Sequence, residues 1–184
     1  MQHGRPFAAS LALAACSGLA CAAEEPIDTA REFYGWVLSH PSHGLPSPKD
    51  RAELARFVAP DLLHLLKSAA ETEARCVKAA PKGEKPLVVE GDVFVGNYEG
   101  ASEVAYGPIE REGDAVSMEA NLVYIDTRFA KSHPHRVVAW QDRLEMRLMG
   151  GRWMVQDAHF LPDRTLTEEL EGYLDEGRRA CGKP

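Results

Sequence analysis

The sequence predicts an α+β domain, in which amino-terminal helices pack on a curved antiparallel sheet and one more helix follows the sheet. Apolar residues recur at helical spacing up to about residue 79 and again near the end of the chain. From Leu87 onward they alternate with polar residues instead, which is typical of strands. The 184 residues are 45% hydrophobic and 27% charged, which indicates one globular domain.

Residues 1–22 differ from the rest of the chain. Arg5 is their only charged side chain, residues 7–15 form an apolar run too short to span a bilayer, and Ala20-Cys21-Ala22 is a small-residue cleavage site. These features predict a signal peptide over residues 1–22 and a single domain over residues 23–184. The mature protein is then periplasmic or extracellular.

A second interpretation of the same segment stays open. Leu13-Ala14-Ala15-Cys16 resembles the lipobox of bacterial lipoproteins, in which the cysteine becomes the lipidated first residue. The signal would then cover residues 1–15, and Cys16 would tether the protein to a membrane. No later segment is apolar enough for a transmembrane helix, so any membrane contact is expected through this anchor alone.

Charge and cysteine content limit the classes of partner. Removing Arg5 with the signal peptide changes the formal net charge from -7 to -8, which disfavours nucleic acids and anionic lipid surfaces. Beyond the signal region, Cys76 and Cys181 are the two cysteines that remain. In an oxidising compartment two such thiols tend to pair, so we expect a disulfide; two buried free thiols are the alternative.

Helices are predicted from spacing and caps. Thr29 and Glu32 form a capping box for a helix over about residues 28–39, and Ser47 with Pro48 begins a helix that reaches about residue 58. An apolar stripe from Leu62 predicts a third helix to about Ala79.

Four or five antiparallel strands are expected between residues 87 and 161. They are written "LVVEGDVFVGNYEG", "EVAYGPIE", "AVSMEANLVYID" and the hairpin "WQDRLEMRLMGGRWMVQDAH". A second capping box, Thr165 with Glu168, begins a last helix over about residues 166–178.

This order of elements resembles the nuclear transport factor 2-like (SnoaL-like) cone fold, and within it a group of small bacterial envelope proteins of unknown function. The resemblance rests on the three amino-terminal helices, on "EGDVFVGNYEGAS", and on W-x-D followed by G-x-W-x-V-x-D in the last strands. It covers about residues 27–162; the carboxyl-terminal helix departs from it. The resemblance implies a conical pocket, on a scaffold that elsewhere hosts isomerases, dehydratases, ligand carriers and immunity proteins.

The hairpin contains three ionisable residues whose predicted position on the sheet needs explanation. A two-residue turn at Gly150-Gly151 places Leu148 opposite Trp153, Met146 opposite Val155, Leu144 opposite Asp157, Asp142 opposite His159 and Trp140 opposite Leu161. Asp142, Asp157 and His159 are thereby predicted on the inner, otherwise apolar face. Burial of charge is costly unless it is paired, so they either fix the strand register or border a wet pocket.

The leading hypothesis is a binding or interaction module without turnover, because no strong catalytic motif is present. A pocket is predicted to be lined by Trp140, Trp153 and Tyr124, with Asp142, Asp157 and His159 as polar contacts, and closed by Tyr34 and Leu66. The partner is an unknown small molecule or an envelope protein. No cofactor or metal is expected, since His133-Pro-His135 lacks a completing carboxylate or cysteine.

Two alternatives remain. An isomerase or dehydratase would use His159 as a base oriented by Asp142, with Asp157 as a second carboxyl group. An immunity-like inhibitor would bind a basic toxin through the acidic surface.

Overall fold

The computed structural model describes residues 25–41, 44–160 and 162–182, so the predicted signal segment and its Cys16 lie outside the described residues. Among the described residues the helices are Pro26–Ser39 (α1), Pro48–Leu54 (α2), Pro60–Ala79 (α3) and Leu166–Ala180 (α4). The strands are Glu103–Glu112 (β1), Ala115–Ile125 (β2), Val137–Met149 (β3), Arg152–Phe160 (β4) and Arg164–Thr165 (β5). The predicted α+β class, with helices on a curved antiparallel sheet, is confirmed.

The sheet is an antiparallel meander in the order β1-β2-β3-β4-β5, so each strand pairs with the next along the chain. The short β5 leaves much of β4 uncovered, and the connection between α2 and α3 fills that edge. Val155 donates its N–H to Phe57 O at 2.8 Å and accepts from Ala59 N at 2.8 Å, around a parallel bridge with Val58. The open edge of β4 is thereby covered by backbone.

Helix α1 begins three residues earlier than its predicted cap. Pro26 occupies the first turn after an extended Glu25, so the predicted capping box at Thr29 and Glu32 is wrong. Thr29 lies inside the helix, buried, and its hydroxyl donates to the carbonyl oxygen of Trp153 at 3.1 Å. This hydrogen bond ties the first turn of α1 to β4.

The other two predicted caps are present. Ser47 accepts from Asp50 N at 3.3 Å while Asp50 accepts from Ser47 N at 2.9 Å, and Thr165 and Glu168 make the same reciprocal pair. Helix α2 ends at Leu54 rather than near residue 58, because the chain there turns to join the edge of β4.

Residues 87–100 form no strand, which corrects the prediction for "LVVEGDVFVGNYEG". Gly91 and Gly100 adopt φ angles of 79° and 82°, which interrupt an extended chain, and Asp92 N donates to Tyr98 O at 3.0 Å across the resulting loop. Val93, Phe94 and Val95 are buried in succession rather than alternately. This segment, which we call the 87–100 loop, lies against the sheet.

Cys76 of α3 and Cys181 just after α4 form the predicted disulfide, with 5.0 Å between their Cα atoms. The two helices also approach closely at Gly177, where an added Cβ would lie 2.2 Å from Thr72 Cγ2. None of the described helices combines the length and hydrophobicity needed to cross a membrane.

The space between the helices and the inner face of the sheet is filled by side chains. From the helices, Phe33 packs edge-on against Tyr34, Phe57 and Phe94, with ring centroids 5.1 to 6.3 Å apart. The sheet contributes inward residues that are all at most 3% exposed: Val116, Met118, Ala120, Leu122, Leu144, Met146, Val155, Ala158 and Phe160.

Candidate functional site: a buried carboxyl group on the inner face of the sheet

The β3–β4 hairpin has the predicted register only near its turn. Leu148 pairs with Trp153 and Met146 with Val155, as expected from the Gly150-Gly151 turn. Beyond Met146 the register shifts by one residue. Glu145 pairs with Asp157, and Gln156 is the extra residue of a β-bulge.

The bulge moves two of the three candidate residues to the other face. Asp142 now pairs with Phe160, and Arg143 with His159, so the predicted pairs of Asp142 with His159 and of Leu144 with Asp157 are wrong. The predicted partner of Trp140, Leu161, lies outside the described residues. Asp142 alone faces the core, while Asp157 and His159 face outward. The inner face therefore contains no aspartate–histidine pair from this hairpin.

Both displaced residues have partners on the outer face. Asp157 accepts from Thr167 N at 3.0 Å, in the first turn of α4, and from its neighbour Ala158 N at 2.8 Å. Its carboxylate thus satisfies one of the free N–H groups at a helix start. His159 Nε2 lies 3.0 Å from Glu145 Oε1, and both side chains are partly exposed.

Asp142 is the buried ionisable group of the site, with 1% of its surface exposed. Its Oδ2 accepts from Gly96 N at 2.9 Å and from Trp140 Nε1 at 3.1 Å, which fastens the 87–100 loop to β3. Its Oδ1 has no hydrogen-bond partner among the described residues. Burial raises the pKa of this carboxyl group, against the opposing effects of those two hydrogen bonds and of the Arg164 charge.

Tyr34 of α1 is the second buried polar group, fully enclosed and with no hydrogen-bond partner for its hydroxyl among the described residues. Burial raises the pKa of this phenol above its ordinary value, and the charge of Asp142 raises it further. A buried polar oxygen without a partner is uncommon, and here there are two. Burial therefore makes each of these two groups hold its proton more tightly than it would in water.

The aromatic residues predicted to line a pocket have different surroundings. Trp153 is buried beneath the guanidinium group of Arg111, whose Cζ lies 5.6 Å from the ring centroid. Trp140 and Tyr124 are half-buried on β3 and β2. Tyr34 and Leu66, which were expected to close the pocket, are 0% exposed and belong to the packed core.

The surface depressions of the described residues lie elsewhere. One of about 450 Å³ is bordered by outward residues of four strands, among them Glu110, Ser117, Glu145 and Arg147. Another of about 290 Å³ lies outside Gly96, between Tyr98 and Arg164. Trp140, Trp153, Tyr124 and Tyr34 line neither of them.

Within the described ranges, no group of three or more His, Cys, Asp or Glu residues is arranged to hold a metal ion. The His133 ring stacks on Phe129 with centroids 4.2 Å apart, and its Nδ1 accepts from His135 N at 3.2 Å. These contacts assign the two histidines to the structure of the β2–β3 connection.

Sequence reasoning missed Gly96 and Tyr106. An added Cβ at Gly96 would lie 2.7 Å from Asp142 Oδ1, so only glycine admits this close approach. Tyr106 of β1 packs 6.2 Å from the Tyr34 ring. The bulge did leave a signal: the apolar residues Trp153, Val155, Ala158 and Phe160 are spaced by two, three and two.

Comparisons with known proteins provide no functional assignment. No family model matches the chain, and no curated protein or solved structure matches it either. The function is therefore argued from the site and the surface.

Proposed function

We propose that this is a secreted or lipid-anchored envelope protein that acts as a protein-interaction module without catalytic turnover. The signal segment and the Cys76–Cys181 disulfide support an oxidising compartment outside the cytoplasm. The resemblance to the cone fold remains part of this proposal. The packing does not support the conical pocket that the resemblance implies.

The proposal rests on one observation: side chains fill the space between the helices and the inner face of the sheet. A small-molecule site needs a concave space with a few convergent polar groups, and Tyr34 and Leu66 occupy that space with no exposed surface. Contact through the surface is the remaining way for this domain to recognise a partner. We therefore assign recognition to exposed side chains.

We assign contact with a protein partner to exposed apolar residues at the start of β3. Val137 and Val138 are 53% and 43% exposed, and Phe129 of the preceding connection is 39% exposed. Arg136 donates to the carbonyl oxygen of Phe129 and so holds this connection in place. We call Phe129, Val137 and Val138 the β3-start surface. Aromatic and aliphatic anchors on a fixed backbone are typical of protein interfaces.

A photo-crosslinking residue at position 138, introduced in cells of the natural host, tests this function. We expect a discrete adduct with one envelope protein, which is lost when Val137→Asp is added. The matched control is Val77→Asp on α3, because Val77 is 52% exposed and lies on another element. The proposal fails if no adduct forms, or if both aspartate variants remove it equally while the protein remains folded.

One observation favours the enzyme alternative in a modified form. His159 and Glu145 are a histidine–carboxylate pair 3.0 Å apart, and Glu145 borders the 450 Å³ depression on the outer face. In this alternative Glu145, rather than Asp142, orients the base. Turnover of any substrate that His159→Gln abolishes without lowering the melting temperature would support the enzyme over the interaction module.

A further inference from the structure

The first turn of α1 is held at one end of the sheet. Glu25 forms an ion pair with Arg111 at the end of β1, with 2.7 Å between nitrogen and oxygen, and Thr29 donates to Trp153 O at the start of β4. Glu25, the first described residue, therefore lies beside the β1–β2 and β3–β4 turns.

These two turns lie together and present apolar side chains. Leu148 N donates to Asp114 O at 2.9 Å, which joins one turn to the other. Leu148 and Met149, just before Gly150, are 43% and 38% exposed. We call Asp114, Leu148, Met149 and Gly150 the turn end; it lies at the opposite end of β3 from the β3-start surface.

The tether that a lipidated Cys16 would provide is short. Nine residues from Cys16 to Glu24 precede Glu25, and nine residues can reach at most about 30 Å. Such a tether keeps Glu25, and the turn end beside it, near the bilayer.

We propose that the turn end rests on the membrane surface, with Leu148 and Met149 in contact with lipid, and that the β3-start surface points away from the membrane. This inference rests on the lipid-anchored form of the proposed function. The turn end is expected to contact a lipid surface, because the tether holds this end of the sheet near the bilayer whatever the protein partner is.

The charges at the turn end fit a neutral lipid surface. The Arg147 guanidinium lies 3.8 Å from the Asp114 carboxylate, and Arg111 is paired with Glu25, so these charges are balanced locally. Two apolar side chains are too little to anchor an acidic protein to a membrane alone, since even a single acyl chain gives only marginal and reversible membrane binding. The turn end is therefore expected to orient the anchored protein, and the leaderless chain to remain in solution.

The test uses the full chain, purified from the envelope and placed in phosphatidylcholine vesicles. Cys21→Ser removes the thiol that the tether would carry, and a polarity-sensitive fluorophore is attached at Met149→Cys or, as the control, at Val137→Cys. We expect a blue shift and strong quenching by nitroxide-labelled lipid for the probe at position 149. The probe at position 137 should keep the emission of a water-exposed dye.

Two outcomes overturn the inference: equal or stronger quenching at position 137, or an intact mass that begins at Ala23 without lipid. The second leaves a freely secreted interaction module intact. Conversely, the absence of any crosslinked adduct from position 138 would overturn the interaction function without changing the depth measured at position 149. The two failures are thus distinguishable.

Discussion

At the scale of single residues, Asp142 is the group whose environment departs most from that of a surface carboxylate. Its pKa is raised by burial, so the folded state favours the neutral acid. The stability that this contributes is present below the ordinary carboxyl pKa of 3.8 and is lost as pH rises through the raised value.

Asp142→Asn is therefore expected to raise the free energy of unfolding at pH 7 relative to the parent, and to leave it unchanged at pH 3. The amide oxygen can still accept from Gly96 N and Trp140 Nε1, so the tie to the 87–100 loop survives. Urea unfolding at several pH values measures both effects.

Asp126→Asn is the matched control with the opposite sign. Hydrogen bonds from Arg128 lower the pKa of Asp126, so its stabilising effect is present at pH 7 and is lost as pH falls through that lowered value. The account of Asp142 is contradicted if both asparagine variants change stability in the same direction at pH 7.

Gly96 tests the close approach between the 87–100 loop and β3. Gly96→Ala would place a methyl group 2.7 Å from Asp142 Oδ1, so we expect a loss of about 1–3 kcal/mol of stability, as for other overpacked sites. Gly35→Ala in α1 meets nothing within 4 Å and should be neutral or stabilising. Equal unfolding midpoints for the two variants would contradict the close approach of Gly96 to Asp142.

At the scale of elements, the packing of α4 on α3 depends on one glycine. In Gly177→Ala the new Cβ would lie 2.2 Å from Thr72 Cγ2. This clash outweighs the roughly 1 kcal/mol that alanine normally gains over glycine in a helix, and we expect a net loss of about 1–2 kcal/mol. Thermal unfolding measures the change.

Gly172→Ala is the control in the same helix, because nothing lies within 4 Å of its added Cβ. It should raise the stability by about 0.5–1 kcal/mol through helix propensity alone. The described contact between α3 and α4 is wrong if Gly177→Ala stabilises the protein as much as Gly172→Ala does.

The elements that could be predicted from sequence are those whose signals are local. The caps at Ser47 and Thr165 and the apolar stripe of α3 depend on residues within one or two turns of each other. The bulge at Gln156 could not be read from turn geometry, because it depends on how β4 meets the curved neighbouring strand. One shifted residue was enough to separate Asp142 from His159.

The 87–100 loop is a second feature that could not be predicted from the sequence. Its alternating Val and Phe residues suggest a strand, but Gly91 and Gly96 make backbone approaches that only the folded partners reveal. The same difficulty applies to the candidate site. Asp142 could be identified as an inward carboxyl group from the hairpin pattern, but its main-chain donor, Gly96, is 46 residues away in sequence and could not.

At the scale of the whole molecule, the disulfide joins residues 105 positions apart, across the sheet and back to α3. A loop of this length can contribute about 4–5 kcal/mol in the chain-entropy description. Cys76→Ser with Cys181→Ser should therefore lower the melting temperature strongly. An unchanged melting temperature would contradict a stabilising role.

The same cysteines report on processing. Under denaturing, non-reducing conditions, a chain that begins at Ala23 should present no free thiol, whereas one lipidated at Cys16 should present a single thiol, at Cys21. Two additional reactive thiols would show that Cys76 and Cys181 are not paired in the natural protein.

The most direct test of the central claim is intact mass spectrometry, native and then denaturing, of the protein purified gently from its host envelope. We predict a mature chain that begins at Ala23 or at a lipid-bearing Cys16, with the disulfide formed and no small molecule that is released on denaturation. A stoichiometric small-molecule companion lost on denaturation would contradict a filled interior and indicate a ligand-binding protein. An unprocessed chain that still begins at Met1 would contradict the envelope location.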